Sequence, residues 1–379
     1  MTLKAETLRG GPEIVDILAE EWRLLCDVSG SPLPFSRPEY VAAYFRNNKK
    51  AKFLIISVRM NGKLKAVLPL IERTRRLSYL PATVLRGPSD FDLWPFDILM
   101  DSGSESVMVE KTLWDAVRNL GGWDIIELPN IPGGSAAENL LRIVADEGYL
   151  THTWEYMHSP FISLSDYPGV RDPLQIARSS SLRGNIRKIL RKLENEGSIK
   201  VHHLDKADPT ILQRLYEMEA SGWKGEKGNA ILLRQADQTF WDEITQWGQQ
   251  FGFLSLHALE MQGQIVGGSV GLTYRDRYYG LKLGWDERYR SYSLGHLLVL
   301  SNLETCLKRG LSEFHMMGLR SPWKEQWTAK VRPYSNCYIF RKGLYGRALR
   351  AAKLRAISWQ ARTISTQEGY IENVDQYKR

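Results

Sequence analysis

Hydrophobic and polar positions along the chain follow one pattern twice, about 200 residues apart. A β-rich run, a turn ending in glycine and a second β-rich run occur at residues 53–71 and again at 253–274, which predicts a hairpin in each half. Two amphipathic helical stretches precede each hairpin, at residues 12–28, 37–45, 209–221 and 237–250. A helix, a glycine and a strand come after each hairpin, and both halves then continue into another short helix and another strand.

The repeated order predicts an α/β chain, with mixed α+β sheets, built as two similar lobes. Chance recurrence of common α/β elements is the alternative, because the two halves share few identical residues. We expect an N-terminal lobe at residues 1–168, a basic inter-lobe helix at 169–199, a second lobe at 200–346 and a basic amphipathic tail at 347–379.

The net charge of +8 is concentrated in two segments. Residues 171–200 hold eight basic and three acidic side chains, and residues 320–355 hold ten basic side chains and one acid, so the rest of the chain is mildly acidic. Such patches contact an anionic partner or lie on solvated faces. The stretch 341–362 interleaves basic with apolar residues, which is typical of a helix lying on an anionic membrane surface. RNA phosphates are the other anionic partner considered, and a DNA-binding groove is not indicated.

Several other classes of protein are disfavoured by the sequence. The three cysteines lie far apart, with no CxxC pair or histidine cluster beside them, so we expect neither a disulfide framework nor a metal site. No apolar run reaches the roughly 18 residues of a membrane span, and the first residues do not have the layout of a signal peptide. The expectation is a soluble cytoplasmic protein, with the basic tail as a peripheral contact at the inner face of the membrane.

The clearest chemical signal is a loop of small residues at a predicted helix start. A strand at residues 277–286 leads into a loop at 287–296 and then into an apolar helix at 297–307. The free N–H groups and positive dipole end of a helix start bind phosphate, and Arg288 and Arg290 add positive charge there. An ordinary helix start capped by Ser293 is the alternative. The sequence has neither a P-loop nor a GxGxxG motif that opens a helix after a strand.

The order of elements, the loop Arg290-Ser-Tyr-Ser-Leu-Gly295 and the segment Ser321-Pro-Trp-Lys324-Glu-Gln-Trp327 resemble the GNAT acyltransferase superfamily. Within it, the chain is most similar to the tandem, two-lobed CelD-like acetyltransferases, relatives of the Fem-type peptidyl transferases. The basic stretch at residues 181–192 is also typical of that branch. The resemblance covers nearly the whole chain and implies two tandem GNAT-like lobes followed by a basic C-terminal helix, with acyl-CoA (acetyl-CoA or a longer form) as co-substrate and no metal.

The resemblance also implies roles for individual residues. The residues that match the phosphate loop of the family would hold the acyl-CoA pyrophosphate: Arg290, Ser293, Leu294, Gly295 and His296. Lys324 matches a recurrent lysine after the fifth strand and is expected to contact substrate. His315 departs from the family pattern, because this branch usually has an aspartate there. The equivalent loop of the first lobe, residues 97–105, is acidic, so we expect that lobe to bind no nucleotide.

Acyl transfer from a thioester to an amine needs a base for the amine, donors for the developing oxyanion and an acid for the leaving thiolate. Asp286 and Glu287 end the strand expected to line the acyl site, and His315 on the next strand is of a residue type that titrates near neutrality. These three are the candidate catalytic residues, although a histidine hydrogen-bonded within the core is the other interpretation of His315. Trp285 and Trp323 are candidates for the wall of a substrate cleft, where the alternative is core packing.

Three functions are compatible with these features. The leading hypothesis is an acyl-CoA-dependent N-acyltransferase acting on a small-molecule or glycan-precursor amine, for example an amino sugar or another cell-envelope or polysaccharide precursor. The second is an aminoacyl-tRNA-dependent transferase of the Fem type. The basic patches favour it, and the absence of a long heptad-bearing helical arm disfavours it. The third is a catalytically silent GNAT-like binding protein, which the substitution at His315 suggests.

Overall fold

The structure, a computed structural model, describes residues 2–48, 51–89, 94–195, 199–221 and 230–366, and its side chains as far as Trp359. The chain is divided into two compact units. The first consists of Met1–His158 and Pro333–Arg379, and the second of Ser159–Arg332. This division differs from the predicted domains at both ends of the second lobe. The inter-lobe helix belongs to the second unit, and residues 333–346, together with the tail predicted at 347–379, belong to the first.

The first unit has a mixed sheet with strands in the order β1-β2-β3-β4-β6-β13, of which β4 and β6 run parallel and the other neighbours antiparallel. The short β5 pairs with β3 off this path. Strand bounds are β1 (Leu3–Gly10), β2 (Lys52–Met60), β3 (Lys63–Leu77), β4 (Leu80–Arg86), β5 (Leu99–Met100), β6 (Ile125–Pro132) and β13 (Val331–Phe340). Its helices are α1 (Ala19–Val28), α2 (Pro38–Asn47), α3 (Ser106–Asn119), α4 (Ala136–Asp146) and α10 (Leu344–Thr366).

The second unit has a sheet in the order β7-β12-β11-β10-β9-β8, in which β11 and β12 are the parallel neighbours. Its strands are the end of β7 (Leu150–Ser163), β8 (Lys200–Leu204), β9 (Leu254–Met261), β10 (Gln264–Tyr274), β11 (Arg277–Trp285) and β12 (Glu313–His315). Its helices are α5 (Ser180–Asn195), α6 (Pro209–Ser221), α7 (Gln235–Gln250), α8 (Leu294–Lys308) and the single turn α9 (Pro322–Glu325).

The predicted repeat is confirmed: in both halves two helices, a hairpin, a strand, a helix, a strand, a helix and a strand succeed one another. Each copy also begins with a strand that the sequence analysis missed, β1 in the first and β8 in the second. Both pair antiparallel with the first strand of the next hairpin. The two units are therefore more alike than the sequence pattern indicates.

The apolar stripes of the two basic helices face protein. Leu182, Ile186, Ile189 and Leu193 of α5 are buried in the core of the second unit. On α10, Leu349 and Ile357 pack against β4, β6 and β13 of the first unit, whereas Leu344 and Trp359 remain 81% and 58% exposed. Most of the apolar side that was predicted to face a membrane is thus used inside the first unit. Within the described residues, no helix is long and apolar enough to cross a membrane.

Candidate functional site

The parallel pairing of β11 with β12 ends partway along β11. Tyr279 and His315 form the last pair, although β11 continues to Trp285. On the other side of β11 the register shifts, so that Val270 pairs with Lys282 but Gly271 pairs with Gly280. A bulge of this kind turns backbone groups out of the ladder and is common beside active sites. The second unit thus has strand backbone free of the parallel ladder at its centre.

The predicted phosphate loop comes directly after β11 and starts helix α8. Asp286 accepts a hydrogen bond from the backbone N–H of Arg288 at 3.0 Å and opens a short 3-10 turn, Glu287–Tyr292. Ser293 then occupies the position before α8 in a left-handed conformation, with φ +48°, and its side chain caps no N–H group. The amides of the first turn of α8 therefore lack the usual side-chain acceptor and lie at the positive end of the helix dipole. This favours the anion-binding interpretation over an ordinary serine-capped helix.

Two cations lie beside this loop. Arg290 is exposed and has no carboxylate partner among the described residues. Lys192 of α5 lies over the ring of Tyr292, with Nζ 4.3 Å from the ring centroid. The inter-lobe helix thereby adds positive charge to the loop, a contact that residue spacing alone did not reveal.

Gly295, in the first turn of α8, lies against Trp285. A Cβ atom at this position would be 3.1 Å from the indole ring, closer than ordinary packing allows. Leu294 beside it is fully buried. The glycine therefore lets α8 approach the end of β11, and Trp285 supports the loop from below.

His296 is held in one tautomer by Trp327. The indole N–H of Trp327 donates to Nδ1 of His296 at 3.0 Å, and because that nitrogen accepts, the neutral ring carries its proton on Nε2. Burial lowers the pKa of His296, which keeps the ring neutral at physiological pH. The ring also contacts Trp323, which is 37% exposed, edge to face at 6.2 Å. His296 thus offers a neutral N–H donor next to the helix start.

Lys324 is a half-buried cation that, in the described part of the chain, hydrogen-bonds only to carbonyl groups. Its ammonium donates to the carbonyl oxygens of Met317 and of Leu319, the latter at 3.0 Å, and lies 5.7 Å from the ring centroid of Trp323. Burial lowers the pKa of Lys324 to about 8. Its carbonyl partners belong to the left-handed turn after β12. A positive charge is therefore fixed where the two parallel strands cease to pair.

The two acidic candidates at the end of β11 have different surroundings. Asp286 is buried and binds Arg214 at 2.9 Å and Arg288 at 2.6 Å. Hydrogen bonding from Arg288 lowers the pKa of Asp286, so this carboxylate is charged and engaged. Glu287 is exposed and is the first residue of the short 3-10 turn. Asp286 therefore has the surroundings of an anchor for the loop.

His315 is enclosed in the sheet, with 2% of its surface exposed. Its Nε2 is 2.7 Å from Glu313, and its ring stacks between Tyr279 and Phe161 at 4.8 and 5.7 Å. Burial lowers the pKa of His315, while the neighbouring Glu313 carboxylate opposes the shift. These contacts match the core interpretation of His315 better than that of an accessible base.

A buried polar network holds α8 on the sheet and was missed by the sequence analysis. His257 on β9 bonds Ser301 at 2.8 Å, and Asn302 donates to Ser269 and accepts from Tyr278, both at 2.9 Å. Buried and satisfied polar groups of this kind fix one packing arrangement rather than merely filling space. They position the helix whose start carries the loop. Only their polar character within an otherwise apolar helix signals them in the sequence.

Comparison with known proteins agrees with this geometry. Residues 180–325 match the family model described as an acetyltransferase (GNAT) domain. No curated protein matches the chain by sequence.

Three solved structures are similar to the chain in fold. FemX has 11% sequence identity and a TM-score of 0.55, with 87% of this chain and 96% of that chain covered. The C-terminal DUF2156 domain of a proposed lysylphosphatidylglycerol synthetase from Agrobacterium fabrum has 12% identity and a TM-score of 0.52, covering 90% and 97%. A conserved protein of unknown function from Bacteroides thetaiotaomicron VPI-5482 has 10% identity and a TM-score of 0.52, covering 89% and 100%.

The family match includes α5, the β9–β12 sheet, the loop and Lys324, whereas the fold similarity extends over both units. The second half of the chain accordingly contains a GNAT acetyltransferase domain, and the fold of the chain over both units is similar to that of FemX.

Proposed function

We propose that the protein is an acyl-CoA-dependent N-acyltransferase whose donor site lies in the second unit. The observation that carries this proposal is the start of α8, where a left-handed Ser293 leaves the first helical turn without a side-chain cap, next to the point where β11 and β12 stop pairing. This arrangement suits a diphosphate bound by backbone N–H groups, with the chain attached to it directed toward free strand backbone. The match of residues 180–325 to a GNAT domain supports the same assignment.

In this proposal the loop residues bind the charged pyrophosphate, and Trp285 packs against Gly295 to keep the loop in place. The backbone N–H of Gly295 binds the pyrophosphate, and Arg290 neutralises it from the solvent side. Leu294 is buried next to it, and the backbone N–H of His296 donates to the carbonyl oxygen of Ser293 at 2.9 Å. His296 adds its Nε2 proton as a donor, because Nδ1 is occupied by Trp327. Lys324 contributes a fixed positive charge near developing negative charge on the thioester oxygen or the leaving thiolate.

The acceptor is an amine that must be neutral when it attacks the thioester carbonyl. The nitrogen forms a bond to the acyl carbon, the carbon–sulfur bond breaks, and the amine proton leaves to a base or a water chain. Of the three predicted catalytic residues, Glu287 is the exposed one, so its carboxylate can pass a proton directly to solvent. We propose it as the first candidate for the proton acceptor, with Asp286 and His315 in positioning roles.

The acceptor class and location remain part of the proposal. Our candidate acceptors are an amino sugar or another precursor of the cell envelope, and one fold neighbour carries the name of a proposed lysylphosphatidylglycerol synthetase. The basic C-terminal helix, with Trp359 exposed, would bring such an enzyme to the anionic inner face of the membrane.

The experiment is a calorimetric titration with acetyl-CoA and longer acyl-CoAs, and then an amine panel assayed for release of free thiol. Arg290→Gln should weaken CoA binding about tenfold, the value of one lost charge-assisted contact to phosphate. Arg309→Gln, at the other end of α8, is the matched control and should bind normally. Failure of every CoA thioester to bind the wild-type protein would overturn the proposal.

An aminoacyl-tRNA-dependent transfer is the second candidate, favoured by the fold similarity to FemX. Charged tRNA should then bind and donate its aminoacyl group, and the affinity should fall steeply with salt because phosphate contacts release counterions. Binding of charged tRNA without binding of CoA thioesters would replace the first candidate by the second. Binding of CoA without turnover of any amine would leave a binding protein.

A further inference from the structure

The sheet face of the first unit beneath α10 carries more positive than negative charge in a largely buried place. Arg75 of β3, Arg86 of β4 and Lys353 of α10 surround one carboxylate there. Arg350, one turn before Lys353 on α10, is the fourth cation: it acts on His152, whose ring stacks on Tyr338, and Lys353 lies over that tyrosine ring. Among the described residues, Glu127 of β6 is the carboxylate bound to this group. We call these five residues the cationic cluster.

Glu127 lies at the centre of the cationic cluster. It pairs with Arg86 in the parallel ladder of β4 and β6, and with Tyr338 of β13 on its other side. Arg75 donates to its Oε1 atom, and Lys353 Nζ lies 3.1 Å from the same oxygen. Burial by itself would raise the pKa of Glu127, but Lys353, Arg75 and Arg86 together lower it to about 2. The carboxylate is therefore fully charged at neutral pH and cancels one positive charge of the cluster.

The four cations of the cluster exceed this single negative charge by three. The Nε–H groups of Arg75 and Arg350 are buried and have no hydrogen-bond acceptor among the described residues. Arg350 makes no ion pair in the described part of the chain, and its charge, together with burial, lowers the pKa of the nearby His152. The ring of His152 is then neutral and adds no charge of its own. Buried donors and charges without partners destabilise a fold unless a ligand satisfies them.

We propose that the cationic cluster is a binding site for a phosphate group, presented either by a soluble phosphate ester or diphosphate or by a lipid headgroup. A phosphate carries close to two negative charges and several acceptor oxygens, so it would cancel most of the surplus of three positive charges and accept from the two unsatisfied guanidinium N–H groups. A single carboxylate would leave two of the three surplus charges in place. The cluster reaches solvent through Arg75, whose side chain is 37% exposed.

This site is separate from the donor loop of the second unit and does not depend on the proposed function. The acidic loop that precedes α3 argues against an anion site at the start of that helix, and the cationic cluster lies elsewhere, on the opposite side of the sheet from α3 and α4. Ile126 and Leu128 of β6 pack with α3 and α4, whereas Ile125 packs with α10, and Glu127 alternates onto the same face as Ile125.

The test is a titration of the full chain with inorganic pyrophosphate at constant ionic strength, read by calorimetry and by thermal unfolding. Wild type should bind and be stabilised, and Arg350→Gln should bind at least about tenfold more weakly. Without ligand, Arg350→Gln should unfold at the same or a higher temperature, since it removes an unbalanced charge. Arg347→Gln, an exposed arginine one turn earlier on α10, is the matched control and should behave as wild type.

The other arms separate this site from the donor loop and identify the source of the phosphate. Arg290→Gln should retain the binding that Arg350→Gln loses. Vesicles of phosphatidylcholine with phosphatidylglycerol should bind the wild type in an Arg350-dependent way if the phosphate belongs to a lipid, and should not if it belongs to a soluble molecule. No pyrophosphate binding by wild type at millimolar concentration, or equal binding and lower stability in Arg350→Gln, would overturn the proposal in favour of a purely structural cluster.

Discussion

The loops that lead into α3 and α8 occupy the same place in the two repeats and differ in charge. Each begins with an aspartate that accepts the N–H two residues later: Asp101 from Gly103 at 3.2 Å, and Asp286 from Arg288 at 3.0 Å. Each aspartate is also bound by a cation, Lys65 in the first unit and Arg214 in the second. The local turn is therefore the same, and the difference lies in the residues between the turn and the helix.

Beyond the turn the first loop ends in Glu105, whereas the second continues through Arg290 to the left-handed Ser293. Neither Glu105 nor Ser293 caps an N–H group with its side chain, but the Glu105 carboxylate lies at the positive end of the α3 dipole, whereas the residue before α8 is an uncharged serine. The next helix also differs, because the first amides of α4 donate to Asp97, whereas the side chain of the N-cap residue does not cap α9, which carries both Lys324 and Glu325. One scaffold thus carries a closed and an open version of the same site, and chemistry belongs to the loops rather than to the fold.

The strongest test of this contrast places a bulky residue in each loop. Gly295→Trp should lower acyl-CoA affinity at least about 100-fold, because even a Cβ atom would press on Trp285 and the indole would fill the helix start. Gly103→Trp is the counterpart in the first unit and should leave acyl-CoA binding unchanged. Calorimetry with a circular dichroism check of folding decides; a folded Gly295→Trp variant with normal affinity would remove the donor site from α8.

The paired aspartates offer the next test. Asp286→Asn should destabilise the second unit by about 1–3 kcal/mol at neutral pH, since it weakens charged hydrogen bonds to two arginines. The pKa of Asp286 is lowered in the folded chain, so its stabilisation is complete above its usual pKa and disappears as the pH falls through the lowered one. Denaturant unfolding at pH 7 and in acid measures this difference. Asp101→Asn should lower stability without changing acyl-CoA affinity, whereas Asp286→Asn should weaken both.

Lys324 should make the free energy of unfolding depend on pH in the alkaline range. Its pKa falls from 10.5 to about 8 on folding, so between these values the unfolded chain binds more protons and the free energy of unfolding rises with pH. Lys324→Met should lose this rise and should be more stable than wild type at pH 7 by about 1–3 kcal/mol. Lys330→Met, at an exposed lysine, is the control. A wild-type profile that is flat between pH 8 and 10 would contradict the burial of a charged Lys324.

The smallest effect is expected for His315, which belongs to the last residue pair between the parallel strands β11 and β12. His315→Phe keeps a ring between Tyr279 and Phe161 and leaves Glu313 bound to Arg277 and Arg332. Turnover should then change by less than about threefold, whereas loss of a general base costs about 100-fold or more. A steady-state assay over pH 6–9 separates a structural from a catalytic His315, because replacing a catalytic histidine would also abolish one limb of the pH–rate profile.

Much of the fold could be predicted because its signals are local. The periodicity of α6 and the glycine turns of both hairpins specify elements within a few residues of those found. Strands β1 and β8 were missed because they are partly exposed edge strands with weak alternation, which only pairing with β2 and β9 stabilises. Residues 333–346 were assigned to the second lobe because nothing local reveals that β13 pairs with β6.

The site was predictable where it depends on one contiguous loop and not where it depends on contacts across the unit. The loop at Arg290–Gly295 can be read directly from the sequence, whereas the tautomer of His296 is fixed by Trp327, 31 residues later. The left-handed Ser293 and the burial of His315 are likewise products of packing. The cationic cluster joins β3, β4, β6 and α10, so no window of sequence contains it.

The return of the chain to its first unit has a consequence for biosynthesis. Residues of the second unit form one continuous stretch, but the first unit needs β13 and α10, which the ribosome makes after the second unit. Domains generally fold as units while the chain is being made. The second unit can therefore complete its contacts first, and the first unit must wait, with the β6 edge and the Glu127 carboxylate unpaired by β13 and α10, until some 200 residues after its own strands have emerged. During that interval the nascent chain exposes a sheet edge, so we expect it to be the stage at which this protein most depends on chaperones.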